Sequence, residues 1–217
     1  MSEYLLSTNG LTKQFGKHKA VNHVNLHVKK GAIYGFIGRN GAGKTTFLKM
    51  ISGLSKPTYG EIEMFGYKNE ELKNVRSRIS CLIEAPGLYG NMSAYENLAV
   101  KCRLFGMNDR KYAESILDTV GLSETGKKKV KHFSLGMKQR LGIGLALVGE
   151  PDLLVLDEPI NGLDPQGIAE IRDMILKLRE EQNMTIIISS HILEELSKIA
   201  THYGIIHEGN LIQERCV

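Results

Sequence analysis

The segment that most constrains the fold of this chain is residues 38–45, with the sequence GRNGAGKT. It matches the phosphate-binding loop G-x-x-x-x-G-K-[ST] at every fixed position. Residues 32–37 before it have the composition of a buried strand, and residues 46–51 after it read as a short helix that stops at Gly53. This context predicts a strand, a phosphate-binding loop and a helix in sequence. The alternative is a glycine-rich turn that carries a Lys-Thr pair by chance.

The loop residues are expected to hold the phosphates of a nucleotide. Backbone N–H groups that curl round an anion and the positive end of the helix dipole both favour negative charge there. Lys44 has the length to reach the β- and γ-phosphates, and the Thr45 hydroxyl suits Mg²⁺. The predicted nucleotide-binding set in this segment is Gly38, Arg39, Asn40, Gly41, Ala42, Gly43, Lys44, Thr45 and Thr46.

A second motif places two acidic residues at the end of an apolar strand. Residues 153–156 are Leu-Leu-Val-Leu, and Asp157 and Glu158 follow them. Parallel strands are buried on both faces, so the first charges appear where the strand leaves the sheet, which is where ligands bind. We therefore expect Asp157 to hold Mg²⁺ opposite Thr45, and Glu158 to act as a general base on the attacking water. The alternative is an acidic cap on a core strand.

Size and charge favour a single domain and do not suggest nucleic-acid binding. The chain has 217 residues, 42% of them hydrophobic, which suits one soluble domain with a full core. The formal net charge is only +4, so nucleic-acid binding is not suggested. The densest basic run, residues 127–131, is interpreted as a solvated loop.

The cysteines and the hydropathy pattern bear on the compartment. Cys81, Cys102 and Cys216 are too few and too scattered for a disulfide framework or a zinc site, so reduced thiols and the cytoplasm are expected. No signal segment is expected, because residues 1–4 lack a basic start and a long apolar run, and no stretch approaches the roughly 20 apolar residues that span a bilayer. Any contact with a membrane is therefore expected to run through a partner.

Strand-like and helix-like segments alternate, which predicts an α/β fold with a mainly parallel sheet. Residues 21–28 and 61–65 alternate in polarity for part of their length and predict an N-terminal antiparallel portion. Residues 86–150 are predicted to be an inserted helical subdomain, with a capping box at Ser93 and Glu96. The prediction is a single domain over residues 1–217, whose α/β core comprises residues 1–85 and 151–217.

The order of the motifs along the chain resembles an ATP-binding subunit of an ABC transporter, over essentially the whole sequence. The motifs are the phosphate loop, residues 133–140 (FSLGMKQR), the strand that ends at Asp157-Glu158, Gly162-Leu163-Asp164, and His191. The resemblance implies a P-loop ATPase core and a head-to-tail homodimer. It also implies ATP and Mg²⁺ between the subunits, and transmembrane permease subunits as partners.

Further site residues follow from the resemblance, and each has a plainer structural alternative. Ser134 and Gly136 would face the nucleotide of the other subunit, although Ser134 also suits an ordinary helix cap. Asp164 would lie in the loop that crosses between subunits, and alternatively in a simple turn before Pro165. His191 would contact the γ-phosphate, or be a surface histidine. Phe15 would stack on the adenine, or belong to the core.

The sequence departs from the family pattern at two positions. Glu84 stands where the family has Gln, and we expect it to serve as a catalytic and Mg²⁺-binding replacement, because hard cations accept carboxylate oxygen. Leu135 replaces the first glycine of the common signature, so that position does not need a positive φ. Both departures are similar to the subfamily that serves bacitracin-type export and lantibiotic self-protection.

The function that the resemblance implies is an ATPase that drives a membrane permease, from the cytoplasmic face of the cell membrane, in peptide-antibiotic export or immunity. One alternative is a non-transport ABC ATPase that acts on DNA or ribosomes; such chains typically carry a long coiled-coil insert or tandem ATPase units, and this sequence shows neither. Another is a regulatory module that holds ATP without hydrolysing it, against which Glu158 and His191 argue.

Overall fold

The computed structural model describes residues 4–216. Within that range ten strands form two sheets. The strands are β1 (Tyr4–Phe15), β2 (His18–Lys29), β3 (Ile33–Ile37), β4 (Tyr59–Met64), β5 (Tyr67–Lys68), β6 (Ile79–Leu82), β7 (Leu153–Asp157), β8 (Thr185–Ser190), β9 (His202–His207) and β10 (Asn210–Cys216). The α-helices are α1 (Lys44–Ile51), α2 (Ala94–Leu104), α3 (Arg110–Thr119), α4 (Leu135–Leu147), α5 (Pro165–Gln182) and α6 (Leu193–Ser197). Short 3₁₀ segments span Asn69–Arg78, Ser123–Thr125 and Val130–His132.

The larger sheet confirms the predicted α/β class. Its order is β10-β9-β3-β8-β7-β6, parallel from β9 to β6, with β10 antiparallel at one edge. Every residue of β3, β7 and β8 is buried, which explains their near-continuous apolar sequences. Because these strands run in one direction, the residues that follow them all emerge at the same edge of the sheet.

The smaller sheet is antiparallel, in the order β2-β1-β4-β5, and confirms the predicted N-terminal antiparallel portion. The sequence patterns did not predict strand β1. Its register shifts against β2 between Thr8 and Leu11 and again between Leu11 and Lys13, so buried residues do not alternate regularly along it. Helix α1 packs on the core that this sheet shares with the larger one, where Phe47 lies 4.8 Å from Phe36, centroid to centroid.

Helices α2, α3 and α4 occupy the segment predicted to be helical. The capping box is confirmed, because Ser93 Oγ accepts from the Glu96 N–H at 3.2 Å and Glu96 Oε2 accepts from the Ser93 N–H at 2.6 Å. The sequence also predicts helices over residues 166–179 and 192–200; the first extends to Gln182 as α5, and the second is shorter than predicted and ends at Ser197 as α6. None of the helices within residues 4–216 combines the length and the hydrophobicity needed to cross a bilayer. The division into subdomains stays a prediction.

Candidate functional site

The phosphate loop joins β3 to α1 in a fixed backbone conformation. Gly43 has φ +105°, and a Cβ atom there would overlap the Ala20 carbonyl oxygen of β2. Only glycine satisfies both conditions. On its other side the loop is fastened to the β9–β10 turn, where the Gly209 N–H donates to the Ala42 carbonyl at 2.9 Å. The loop therefore lies between β2 of the smaller sheet and the β9–β10 turn of the larger one.

Lys44 lies inside this loop and is 5% exposed. Its ammonium donates to the carbonyls of Gly38 at 2.7 Å and Arg39 at 3.2 Å. It also lies 3.1 Å from Glu158 Oε1 as an ion pair, without the alignment of a hydrogen bond. A buried ammonium needs such compensation. The structure thus places the positive charge of Lys44 where the loop can enclose an anion.

Asp157 ends β7 and is 8% exposed. Its Oδ2 accepts from the Thr45 hydroxyl at 2.7 Å, and its Oδ1 accepts from the Ser189 hydroxyl at 2.5 Å. Ser189 stands opposite Asp157 in the β7–β8 register. Sequence reasoning missed Ser189; the signal was a pair of hydroxyl residues at the end of an apolar strand.

Glu158 is held between two basic side chains. Its backbone has φ +50°, which is unfavourable for a residue other than glycine, and its N–H donates to Ser189 Oγ at 2.9 Å. Oε2 lies 2.8 Å from His191 Nδ1, and Oε1 faces Lys44. The predicted catalytic residues Lys44, Glu158 and His191 therefore form one continuous chain of charged and polar contacts.

The residues present fit a magnesium ion that arrives with a nucleotide. The described part of the chain has no cluster of three or more His, Cys, Asp or Glu side chains able to cage a metal. Mg²⁺ in nucleotide sites takes few protein ligands, usually one or two carboxylates, and completes its shell with phosphate and water oxygens. The adjoining oxygens of Thr45 and Asp157 supply that kind of hard donor set.

Glu84 forms an ion pair with Lys49 in this structure. Its Oε1 is 2.5 Å from Lys49 Nζ, and it shares no hydrogen bond or ion pair with Thr45 or Asp157 among the described contacts. The predicted metal role of Glu84 stays a prediction, and its partner Lys49 was missed.

The cleft beside the phosphate loop has a volume of about 570 Å³. It is lined by Arg39, Asn40, Gly41, Ala42, His191, His207 and Glu208. The sequence predicts only a hairpin here, with His207 at the end of a strand and Glu208 in the turn, and no role for either residue in the site. Phe15, at the end of β1, is 56% exposed, so its alternative as a core residue is wrong. Lys13 Nζ lies 5.3 Å from the centre of its ring, and the exposed ring remains available to stack on a base.

A second cleft lies between the first turns of α4 and α5. Ser134 caps α4 by accepting from the Met137 N–H at 3.2 Å, and Asp164 caps α5 by accepting from the Gly167 N–H at 3.0 Å. Leu135 has no positive φ, as expected. The residues that line this α4–α5 cleft are Ser134, Leu135, Gly136, Met137, Arg140, Gly162, Leu163, Asp164, Gln166, Gly167 and Glu170. It shares no residue with the cleft at the phosphate loop, so the predicted site residues fall into two separate groups.

Known proteins of similar sequence are transport ATP-binding proteins. A family model described as ABC transporter matches residues 21–161. The bacitracin transport ATP-binding protein BcrA of Bacillus licheniformis is 51% identical over 213 residues, which are 97% of this chain and 69% of BcrA. The lantibiotic transport ATP-binding protein SrtF of Streptococcus pyogenes is 44% identical over 211 residues, which are 97% of this chain and 90% of SrtF.

Solved structures of similar fold are ATP-binding cassettes. A nucleotide-free ATP-binding cassette from an ABC transporter superposes with a TM-score of 0.86 at 26% identity, covering 98% of this chain and 91% of that one. A dimeric post-hydrolysis state of the cassette MJ0796, bound to ADP and Pi, superposes with a TM-score of 0.84 at 26% identity, covering 97% of this chain and 98% of that one.

Proposed function

This chain belongs to the ABC transporter family as an ATP-binding, ATP-hydrolysing component, and from this premise we propose that it drives a membrane permease through the nucleotide-dependent pairing of two copies. The observation that carries the proposal is the contact chain Lys44–Glu158–His191 beside the Thr45–Asp157 pair. It gathers a phosphate-binding cation, a base and a magnesium-compatible donor pair at the edge of one sheet.

The nucleotide phosphates enter the phosphate loop, where backbone N–H groups and the start of α1 favour negative charge. Lys44 then exchanges its contact with Glu158 for the phosphates. Thr45 and Asp157 would hold Mg²⁺, which when bound offsets the negative charge of the phosphates. Phe15 would stack on the adenine, which suits its exposed position.

Glu158 is the base in the proposed hydrolysis. Once Lys44 turns to the phosphates, Oε1 of Glu158 is free to accept a proton from the attacking water, while His191 continues to orient the carboxylate through Oε2. The oxygen of that water forms the new bond to the γ-phosphorus, and the bond to the leaving diphosphate breaks. Glu84 would contribute a further oxygen to Mg²⁺ from the start of the helical segment.

Two copies are proposed to complete each site. The α4–α5 cleft offers the capped N-terminus of α4, whose dipole favours a phosphate, but it shares no residue with the phosphate loop of its own chain. In the proposed head-to-tail dimer, Ser134 and Gly136 of one copy would therefore face the nucleotide held by the other. Asp164 would lie in the loop between them.

The proposed cargo is a peptide antibiotic of the bacitracin or lantibiotic type, exported or kept away from the cell. The support is the similarity to BcrA and SrtF. The chain would then lie in the cytoplasm, on the inner face of the cell membrane, held there by transmembrane permease subunits. We expect cells that produce the chain with its co-purifying permease to tolerate such a peptide better than cells with the permease alone, measured as the inhibitory concentration. Equal tolerance would contradict this cargo.

A mixing experiment tests whether each site is shared between copies. Lys44→Met disables the phosphate loop, and Gly136→Asp places a negative charge at the start of α4, where a Cβ meets only an ordinary contact with Leu163. Each variant alone should be inactive in phosphate release. In a mixed dimer one of the two sites combines an intact phosphate loop with an intact α4 start, so mixing should restore activity. A mixture as inactive as its components would contradict the shared site.

A further inference from the structure

Lys49 and Glu84 form an ion pair that the proposed reaction does not use. Lys49 lies in the last turn of α1, and its Nζ is 2.5 Å from Oε1 of Glu84. Glu84 follows β6 and begins the connection to the helical segment. The two side chains are 36% and 67% exposed, so both can change partner without leaving a buried charge.

The backbone of Glu84 gives a second, independent indication. Its φ is +66°, in the left-handed region, which costs a residue other than glycine about 1–2 kcal/mol. An exposed ion pair contributes at most about 1 kcal/mol, so the Lys49 contact alone does not offset this cost. Strained residues of this kind concentrate at functional sites, where the direction of a side chain matters more than local stability.

Lys49 places a positive charge against the carboxylate of Glu84. Asp157 and Glu158 already place two carboxylates near the phosphate loop, each with its own partners. Glu84 adds a third negative charge on the side of α1 that carries Lys49. A neutral amide at position 84 would form no ion pair with Lys49, whereas the carboxylate does.

We propose that Lys49 is a positioning residue for Glu84, which holds the carboxylate while the nucleotide site is empty and releases it to the magnesium–nucleotide complex. The proposal rests on the function proposed above. Helix α1 carries Lys44 at its first position and Lys49 five residues later, about 7.5 Å along the axis. Helix α1, which would bind the phosphates through Lys44, therefore also binds Glu84 through Lys49. In this proposal Lys49 competes with Mg²⁺ for the carboxylate of Glu84.

Equilibrium binding tests this competition without any hydrolysis. Binding of a non-hydrolysable ATP analogue is measured by calorimetry at graded Mg²⁺ concentrations, for wild type, Lys49→Met, Glu84→Gln and the double variant. Removing the competitor should lower the Mg²⁺ concentration for half-saturation about twofold to fivefold in Lys49→Met, which is the range of an exposed ion pair. Glu84→Gln should raise it, and Lys49→Met should have no further effect in the Glu84→Gln background.

Two controls separate positioning from a general effect of charge. Lys49→Arg keeps the cation and should behave like wild type. Lys68→Met breaks the ion pair between the exposed Lys68 and the half-buried Glu63, at 3.3 Å on the β4–β5 ladder, and should leave the Mg²⁺ dependence unchanged. An unchanged half-saturation in Lys49→Met, or the same shift with Gln at position 84, would overturn the proposal. A wild-type chain that binds no nucleotide at any Mg²⁺ concentration would instead overturn the proposed function.

Discussion

Glu158→Gln is expected to lower ATP hydrolysis by about 10²–10⁴-fold while nucleotide binding is retained, because it removes a general base. The amide has nearly the shape of the carboxylate and can keep a contact with His191, which now lies 2.8 Å from Oε2. It cannot accept the proton of the attacking water. The change also removes the negative charge opposite Lys44, which leaves the ammonium free for the phosphates.

The measurement is phosphate release under single-turnover conditions, together with size-exclusion chromatography in Mg²⁺ and ATP. Since hydrolysis is expected to separate the two copies, the variant should accumulate as an ATP-bound dimer. Glu181→Gln is the matched control, because Glu181 is an exposed residue of α5 whose ion pair with Lys177 is long, at 3.9 Å. Wild-type hydrolysis by Glu158→Gln would remove Glu158 from the proposed role, and a variant that stays monomeric in ATP would count against closure by nucleotide.

Lys44→Met should weaken nucleotide binding by about 10²–10⁴-fold, since loss of a buried charged partner typically costs about 3–5 kcal/mol. Methionine keeps much of the length of the side chain but donates no hydrogen bond. Two consequences follow in the structure. The Gly38 and Arg39 carbonyls lose their shared donor, and Glu158 keeps its negative charge beside the loop without the cation that now faces it. Both effects lower the affinity of the phosphate loop for a triphosphate.

Calorimetric titration with a non-hydrolysable ATP analogue measures this loss. Lys198→Met is the control, because Lys198 is also ion-paired, at 2.7 Å to Glu195, but is exposed and lies outside both clefts. Thermal unfolding of each variant without nucleotide verifies that the fold is intact. Binding as tight as that of wild type would show that Lys44 does not contact the phosphates.

Local sequence determined much of this protein. The phosphate-loop motif predicts a strand before it and a helix after it, and β3 and α1 lie at those positions. The apolar run before Asp157 predicted a strand buried on both faces, and the Ser93 capping box predicted the start of α2. The two-residue turn at Glu208-Gly209, with φ +46° and +78°, is a hairpin signal of the same local kind. These features depend on neighbours in the chain, so a single sequence is enough to find them.

Tertiary structure alone decided which of these residues meet. Lys44, Glu158 and His191 follow three different strands, and they touch because the sheet order β3-β8-β7 sets those strand ends side by side. The Ser189–Asp157 contact comes from the β7–β8 register, and the Lys49–Glu84 pair from the packing of α1 beside the exit of β6. Strand β1 was not predicted because its register shifts against β2, so buried and exposed residues do not alternate regularly along it. The sequence carries the chemistry of each residue, but pairing between distant segments depends on strand order and register, which short-range patterns do not encode.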